Sequence, residues 1–313
     1  MSTWLINATQ ATIDGLIDGG IYAWIGLGLS LSFVTLRRLN LAYGATALFG
    51  IYGGLWLHQK WDLPLPVLVV VIVVITLVAT AYVELLCFSG RTTVSAQSGP
   101  RPAGEIQNAE IVAMAASFAI WMQLEQVAVN LLPRHLQAFP SIAATSEWAI
   151  GEIYIRYDRG LLAVVGLLCC WLTAKWLAHS RTGLRFRAAT DHSLAARLSG
   201  LRVDRVQRHA FYLAGGLSAV AACSVLLLDG QVTPMFGMWM LFKGLVAAWL
   251  LGGHSLGSVM GGGLLLGLIE SYAQWLLGAQ AREFVLYALL FVPVYAMLGF
   301  FDAIALFFLL LAL

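Results

Sequence analysis

Residues 250–263 read LLGGHSLGSVMGGG, a glycine-rich break in an apolar stretch that contains the pentapeptide GHSLG at 253–257. The pattern G-x-S-x-G marks the nucleophile elbow of one hydrolase fold. There a strand delivers the serine, a helix follows, and acid and histidine partners lie further along the chain. Acids are present downstream of Ser255, at Glu270, Glu283 and Asp302, but no histidine is. The six histidines stand at His58, His135, His179, His192, His209 and His254. Triads do occur in other orders on other folds, so an intramembrane serine hydrolase stays as a minor alternative. The other reading is a break between helices, and the surrounding sequence favours it.

Of the 313 residues, 60% are apolar and 11% charged, and mean hydropathy is +0.83. A soluble domain carries roughly twice that charge. Apolar runs of the roughly 20 residues that cross about 30 Å of hydrocarbon recur along the whole chain. The expected fold is therefore an all-α integral membrane protein, a single transmembrane unit over residues 1–313. Eight spans are expected, at about 11–36, 40–58, 67–83, 109–132, 161–178, 210–228, 257–277 and 284–301. The piece 238–251 makes only roughly 21 Å of helix, short for a crossing and suited to a half-helix or re-entrant segment. Ser, Gly and Pro crowd residues 89–108, which read as a loop, as does the stretch before Gly160.

Charge is unevenly placed. Seven of the eighteen basic residues fall between Arg181 and Arg208, opposed only by Asp191 and Asp204. By the positive-inside rule this loop is cytoplasmic, and the first span is expected to be retained with its N-terminus outside. Asp14 and Asp18 then lie near the outer surface, where headgroups solvate them. The four cysteines sit inside apolar runs without metal-ligand spacing, so no metal is expected.

Each half of the chain holds one glycine-interrupted segment: RLNLAYGATALFGIYGG (38–54) and LLGGHSLGSVMGGG. Paired interruptions in corresponding positions point to a transport pathway built from discontinuous helices; close helix packing on glycine is the competing explanation. Polar groups within spans are costly and mark function by default. The candidates for the pathway are Asn40, Tyr43 and Gly44 at the first break, then Thr233 and Pro234 before the half-helix. Lys243 lies inside the half-helix, and Gly252, Gly253, His254, Ser255 and Gly257 form the second break. Lys243 is either a structural cation at helix-end carbonyls or a substrate contact. Helix N-termini at such breaks favour a substrate carboxylate.

Three motifs carry a resemblance. GLIDGGIYAWIGLGLSLSF followed by LNLAYG, the arginine loop RTGLRFRAATDHSLAARLSGLRVDRV, and GMWMLFKGLVAAWLLGGHSLGSVMGGGLLLGLIES occur in that order. Together they resemble the bacterial branched-chain amino acid ABC permeases of the LivH/LivM type, over about residues 14–298. In that comparison GHSLG falls on the family's G-G-x-G-S turn, and Lys243 on its lysine. Asp14 stands where the family has asparagine, Tyr43 where it has histidine, and VYAMLGFFD replaces the usual ending. These departures bear on the substrate, which in this architecture ranges over amino acids, amides, urea and organic acids.

The resemblance implies a permease subunit of an ABC importer in the bacterial inner membrane, crossing it several times. It implies a second homologous permease, two ATPase subunits and a periplasmic substrate-binding protein as partners, and no nucleic acid. The chain has no G-x-x-x-x-G-K-[ST] loop, so it needs no cofactor of its own; ATP and magnesium belong to the ATPases. Their docking point is expected within about 180–207. Thr190 or Asp191 can cap a short helix over 191–199, Leu194, Ala195, Leu198 and Leu201 form a stripe, and Gly200 can end it. Arg187 lies just ahead. Such a helix either docks into an ATPase groove, as the resemblance implies, or lies on the bilayer. An ion-coupled secondary transporter is the main rival; the scarcity of intramembrane carboxylates argues against it.

Overall fold

The computed structural model describes residues 3–36, 39–88, 103–131, 138–140, 147–150, 153–252 and 255–298. The described chain is nearly all helical: α1 (Thr3–Leu36), α2 (Tyr43–Trp61), α3 (Leu65–Val83), α4 (Ala103–Leu131), α5 (Tyr157–His179), α6 (Arg181–Asp191), α7 (Ser193–Leu198), α8 (Val203–Asp229), α9 (Phe236–Trp249), α10 (Leu256–Leu277) and α11 (Ala279–Leu298). Within the described residues each of the eight expected spans falls on a helix, and the short apolar segment becomes α9. Five helices among the described residues (α1, α3 with its extension, α4, α5 and α8) are long and apolar enough to cross a membrane.

One expected loop holds a pair of strands. Residues Glu147–Ile150 (β1) and Ile153–Arg156 (β2) pair antiparallel, with Glu147 opposite Arg156 and Ile150 opposite Ile153. The cause is local: isoleucines, a tryptophan and a tyrosine, of strong strand propensity, flank a two-residue connection that starts with glycine.

The chain forms two compact units, Met1–Ser30 with Ile142–Ala174 and Phe242–Leu313, and Leu31–Ser141 with Lys175–Leu241. In the first, α1 and α10 cross antiparallel on small residues. A Cβ on Gly15 would lie 2.9 Å from the Leu268 Cα, and one on Gly19 would lie 2.7 Å from the Leu264 Cα. No side chain fits between backbones that close, so the glycines of these apolar helices serve packing, as small-x-x-x-small contacts do in lipid. Two polar links support the crossing: Ser271 Oγ donates to the Ala11 carbonyl at 2.6 Å, and the Thr12 and Tyr272 hydroxyls lie 2.8 Å apart.

In the second unit α2 packs against α3, α4 and α8, and α3 against α8. Val67, Val70, Val74 and Val78 of α3 are exposed, whereas Leu68, Ile72, Thr76, Ala79 and Thr80 on the opposite stripe are buried. An outward valine stripe on the most apolar helix is what a lipid-facing surface requires. Helix α3 continues into a π-helical turn, Glu84–Phe88. Its Val83 and Cys87 share a buried core with Ala42 and Ala45 of α2, Ile120 and Leu124 of α4, and Phe211 of α8.

Candidate functional site

The first break is an ordered helix start. Asn40 is buried, and its Oδ1 accepts the Ala42 backbone N–H at 3.1 Å, satisfying one of the donors that a helix N-terminus leaves open. The Leu41 N–H is taken by Ser117 Oγ of α4 at 3.2 Å. Tyr43 is buried, and its carbonyl accepts from Thr46 Oγ1 at 2.8 Å. One residue on, Gly44 meets Gly237: a Cβ on Gly44 would run into the Gly237 carbonyl. The N-terminal turns of α2 and α9 therefore touch backbone to backbone. Each brings the positive end of its helix dipole to this point. Thr233 and Pro234 lie on the approach to α9, where the Thr233 carbonyl accepts the Phe236 N–H at 3.1 Å. Sequence reasoning named Gly44 but missed Gly237, which carried no polar signal.

The second break is built differently. Helix α9 ends at Trp249, and Gly252 takes φ +90°, which suits glycine. Gly253 and His254 lie outside the described residues. Ser255 then caps α10: its Oγ accepts the Ser258 N–H at 3.1 Å, while Ser258 Oγ accepts the Ser255 N–H at 3.2 Å. This reciprocal capping box satisfies donors at the helix start. Among the described residues helix α9 and a turn lie ahead of the serine, not the strand that a nucleophile elbow requires. Gly257 has open space around it, with Ser255 Oγ nearest at 3.8 Å from a Cβ. Ser255→Ala is expected to keep most transport, losing about 1 kcal/mol of cap energy. Uptake and membrane level measured together check this; a dead but well-expressed variant would give the hydroxyl a chemical role.

Lys243 is fully buried at 0% exposure and sits in a four-helix charge cluster. Its Nζ donates to Glu270 Oε2 of α10 and to the Tyr22 hydroxyl of α1, both at 2.7 Å. Tyr22 donates in turn to Glu270 Oε2 at 2.9 Å, and the ammonium lies 4.3 Å from the Tyr22 ring centroid. Arg282 of α11 completes the group, donating to Glu270 Oε2 at 3.0 Å, to Asp18 Oδ2 at 2.9 Å and to the Tyr22 hydroxyl. Two cations and two carboxylates balance. Asp18 was expected to be solvated by headgroups; here Arg282 holds it. Tyr22 and Arg282 were not singled out from the sequence.

The arginine-rich segment is helical almost throughout, which corrects the expected single helix over 191–199. Ser180 caps α6 by accepting the Gly183 N–H at 2.9 Å, so the helix begins at Arg181. Thr190 and Asp191 are thus the last turn of α6 and not an N-cap. The chain breaks at His192 and resumes as the six-residue α7. Gly200, at φ +85°, ends α7 as its position suggested: its N–H bonds the Arg197 carbonyl and that of Leu201 the Ala196 carbonyl, each at 3.0 Å. The stripe divides. Leu201 packs inward with Ala189, Ala196 and Val203, whereas Leu194, Ala195 and Leu198 face out, the leucines 73% and 82% exposed. Arg187 Nη2 donates to the Ala178 carbonyl at 2.8 Å, fastening α6 to the end of α5.

Known proteins resemble this chain along most of its length. The profile of a family described as the permease component of the branched-chain amino acid transport system matches residues 11–294. The chain is 24% identical to the high-affinity branched-chain amino acid transport system permease protein LivH of Escherichia coli K12, over 93% of this chain and 94% of that one. It is 24% identical to the corresponding protein BraD of Pseudomonas aeruginosa, over 90% and 91% of the two chains. A solved ABC transporter in an inward-facing conformation, described as of metal-chelate type, superposes with a TM-score of 0.48 at 17% identity, covering 92% of this chain and 86% of that one.

Proposed function

The chain belongs to the branched-chain amino acid transport system permease family, and from that premise we propose that it is the membrane-spanning subunit of a bacterial ABC importer. It works in the inner membrane beside a second permease, a homologue or a second copy of itself, with two ATPases below and a periplasmic binding protein above. ATP and magnesium reside on the ATPases. The substrate is a branched-chain or other apolar amino acid, or a related small amide, urea or organic acid. The meeting of the α2 and α9 N-termini at Gly44 and Gly237 supports a solute with a carboxylate, since both dipoles favour negative charge there. Asn40, Tyr43, Thr233 and Pro234 flank that point, and Gly252, Ser255 and Gly257 lie at the second break.

The observation that carries the reading is the exposed pair Leu194 and Leu198 on α7, one turn apart on the arginine-rich segment. Two leucines held out on a helix that its own neighbours leave uncovered suit an apolar groove on an ATPase. The test is reconstitution in liposomes with the ATPases and binding protein, following radiolabelled leucine. Uptake should require ATP, and Leu198→Glu should remove it while insertion persists. Normal uptake by a well-expressed Leu198→Glu variant would defeat the docking assignment. Uptake without ATPases, driven by a proton or sodium gradient, would instead favour the ion-coupled rival.

A further inference from the structure

Helix α7 does not stand alone. Its Ala196 packs with Ala189 of α6 and Val203 of α8, with Leu201 and Val206 at the edge. Helix α7 is therefore packed directly onto the first turn of α8. Helix α8 is continuous from Val203 to Asp229, and from Val203 through Phe211 it holds neither proline nor glycine, the usual causes of a kink. Between five and eight residues in, at about 8 to 12 Å of rise, it makes two contacts. Arg208 Nε lies 3.3 Å from Glu84 Oε1, on the π-helical turn that ends α3, and the Glu84 side chain is nearly covered at 9% exposure. Phe211, one turn on, is buried against Val83 and Cys87 and lies beside Phe88, with ring centroids 5.3 Å apart. The same core contains Ala42 and Ala45, which bracket Tyr43 and Gly44 at the first break. A turn later Gly215 abuts Thr80, where a Cβ would lie 2.5 Å from Thr80 Oγ1.

We propose that Arg208, Glu84 and Phe211 are positioning residues of the transport cycle: they carry movement of the α6–α7 segment through α8 to the start of α2. The argument rests on the importer reading. Phe211 is the apolar bearing between α8 and the first break, and the Arg208–Glu84 pair fixes where α8 bears on α3. π-Helical turns inside α-helices occur often at functional sites, and this one holds a covered carboxylate against a helix that starts at the docking segment. Removing the arginine charge leaves that carboxylate unpaired, so the bearing shifts while the rest of the packing stays.

The experiment uses the whole reconstituted importer and measures radiolabelled leucine moved per ATP hydrolysed. Arg208→Met and the isosteric Glu84→Gln should each lower that ratio by about fivefold, within the range of coupling changes single substitutions produce, with the complex intact and ATP hydrolysis largely kept. Arg208→Lys, which retains the charge, should restore most of it; a purely structural loss would not separate the ratio from assembly. An unchanged ratio in both Arg208→Met and Glu84→Gln would overturn the proposal. Should Arg208→Met fail to assemble, the ratio in Glu84→Gln alone decides. If the wild-type complex hydrolyses ATP but moves no leucine, the substrate reading fails. Stimulation of hydrolysis by the binding protein, expected to fall in both variants, then decides the coupling question.

Discussion

Replacing Lys243 with methionine is expected to cost about 3–5 kcal/mol, the penalty for removing one member of a buried ion pair. The size follows from the position. Lys243 and Glu270 are 0% and 1% exposed and Nζ lies 2.7 Å from Oε2, so a charge left behind is buried. Arg282 on the same Oε2 offsets part of the loss and sets Lys243→Met at the low end of that range. The cluster of Asp18, Glu270, Lys243 and Arg282 is neutral as a set; Lys243→Met leaves it one charge negative, and Glu270→Gln one positive. The double variant Lys243→Met/Glu270→Gln restores the balance and keeps Arg282 on Asp18. It should therefore be markedly more stable than either single variant. Thermal unfolding of the purified protein in detergent and its level in the membrane both check the ranking. Additive losses in the double variant would show that the two residues act independently, against the geometry. Uptake separates the two roles open to Lys243 from the sequence. A clamp recovers transport in the double variant, whereas a substrate contact leaves it stable and inactive.

The contrast between what the sequence disclosed and what it hid is a contrast of range. Spans, breaks and the arginine segment are written in neighbouring residues, where apolar runs and glycine clusters set local structure. Gly200 ends α7 because a left-handed residue there closes two backbone hydrogen bonds within five residues. Lys243 and Tyr22 are 221 positions apart, and Arg282 and Asp18 are 264 apart. One chain read alone carries no sign of such pairs, so Asp18 looked like a headgroup-solvated surface residue. The break at His192 was hidden for a different reason. The run from Arg181 through Ser199 holds helix formers on both sides of it, and only the backbone at His192, at φ −139° and ψ 80°, shows that one helix closes before the next begins. Gly237 was overlooked because its role is the lack of a side chain, which shows only when a second backbone arrives.

That second backbone sets the other large effect. Gly44→Ala is expected to abolish uptake, because its methyl would overlap the carbonyl of Gly237, a backbone atom that no rotamer change can move aside. Overpacking in a tight core costs about 1–3 kcal/mol where side chains can adjust, and two helix backbones adjust less. The reverse substitution is gentler: a Cβ on Gly237 would meet Gly44 carbon and oxygen at 3.2 Å, a contact that a shift of a few tenths of an ångström relieves. Gly216→Ala on α8 is the control, since its nearest neighbour would be a Leu77 methyl at 3.9 Å. The expected order of remaining uptake is Gly216→Ala near wild type, Gly237→Ala reduced, and Gly44→Ala lost. Membrane levels measured in parallel separate a displaced break from an unfolded chain. If Gly44→Ala is present at wild-type level and inactive, the meeting of α2 and α9 governs passage of the solute. If it transports as Gly216→Ala does, the two helix starts part during the cycle far enough to hold a methyl, and the contact has no part in setting the path.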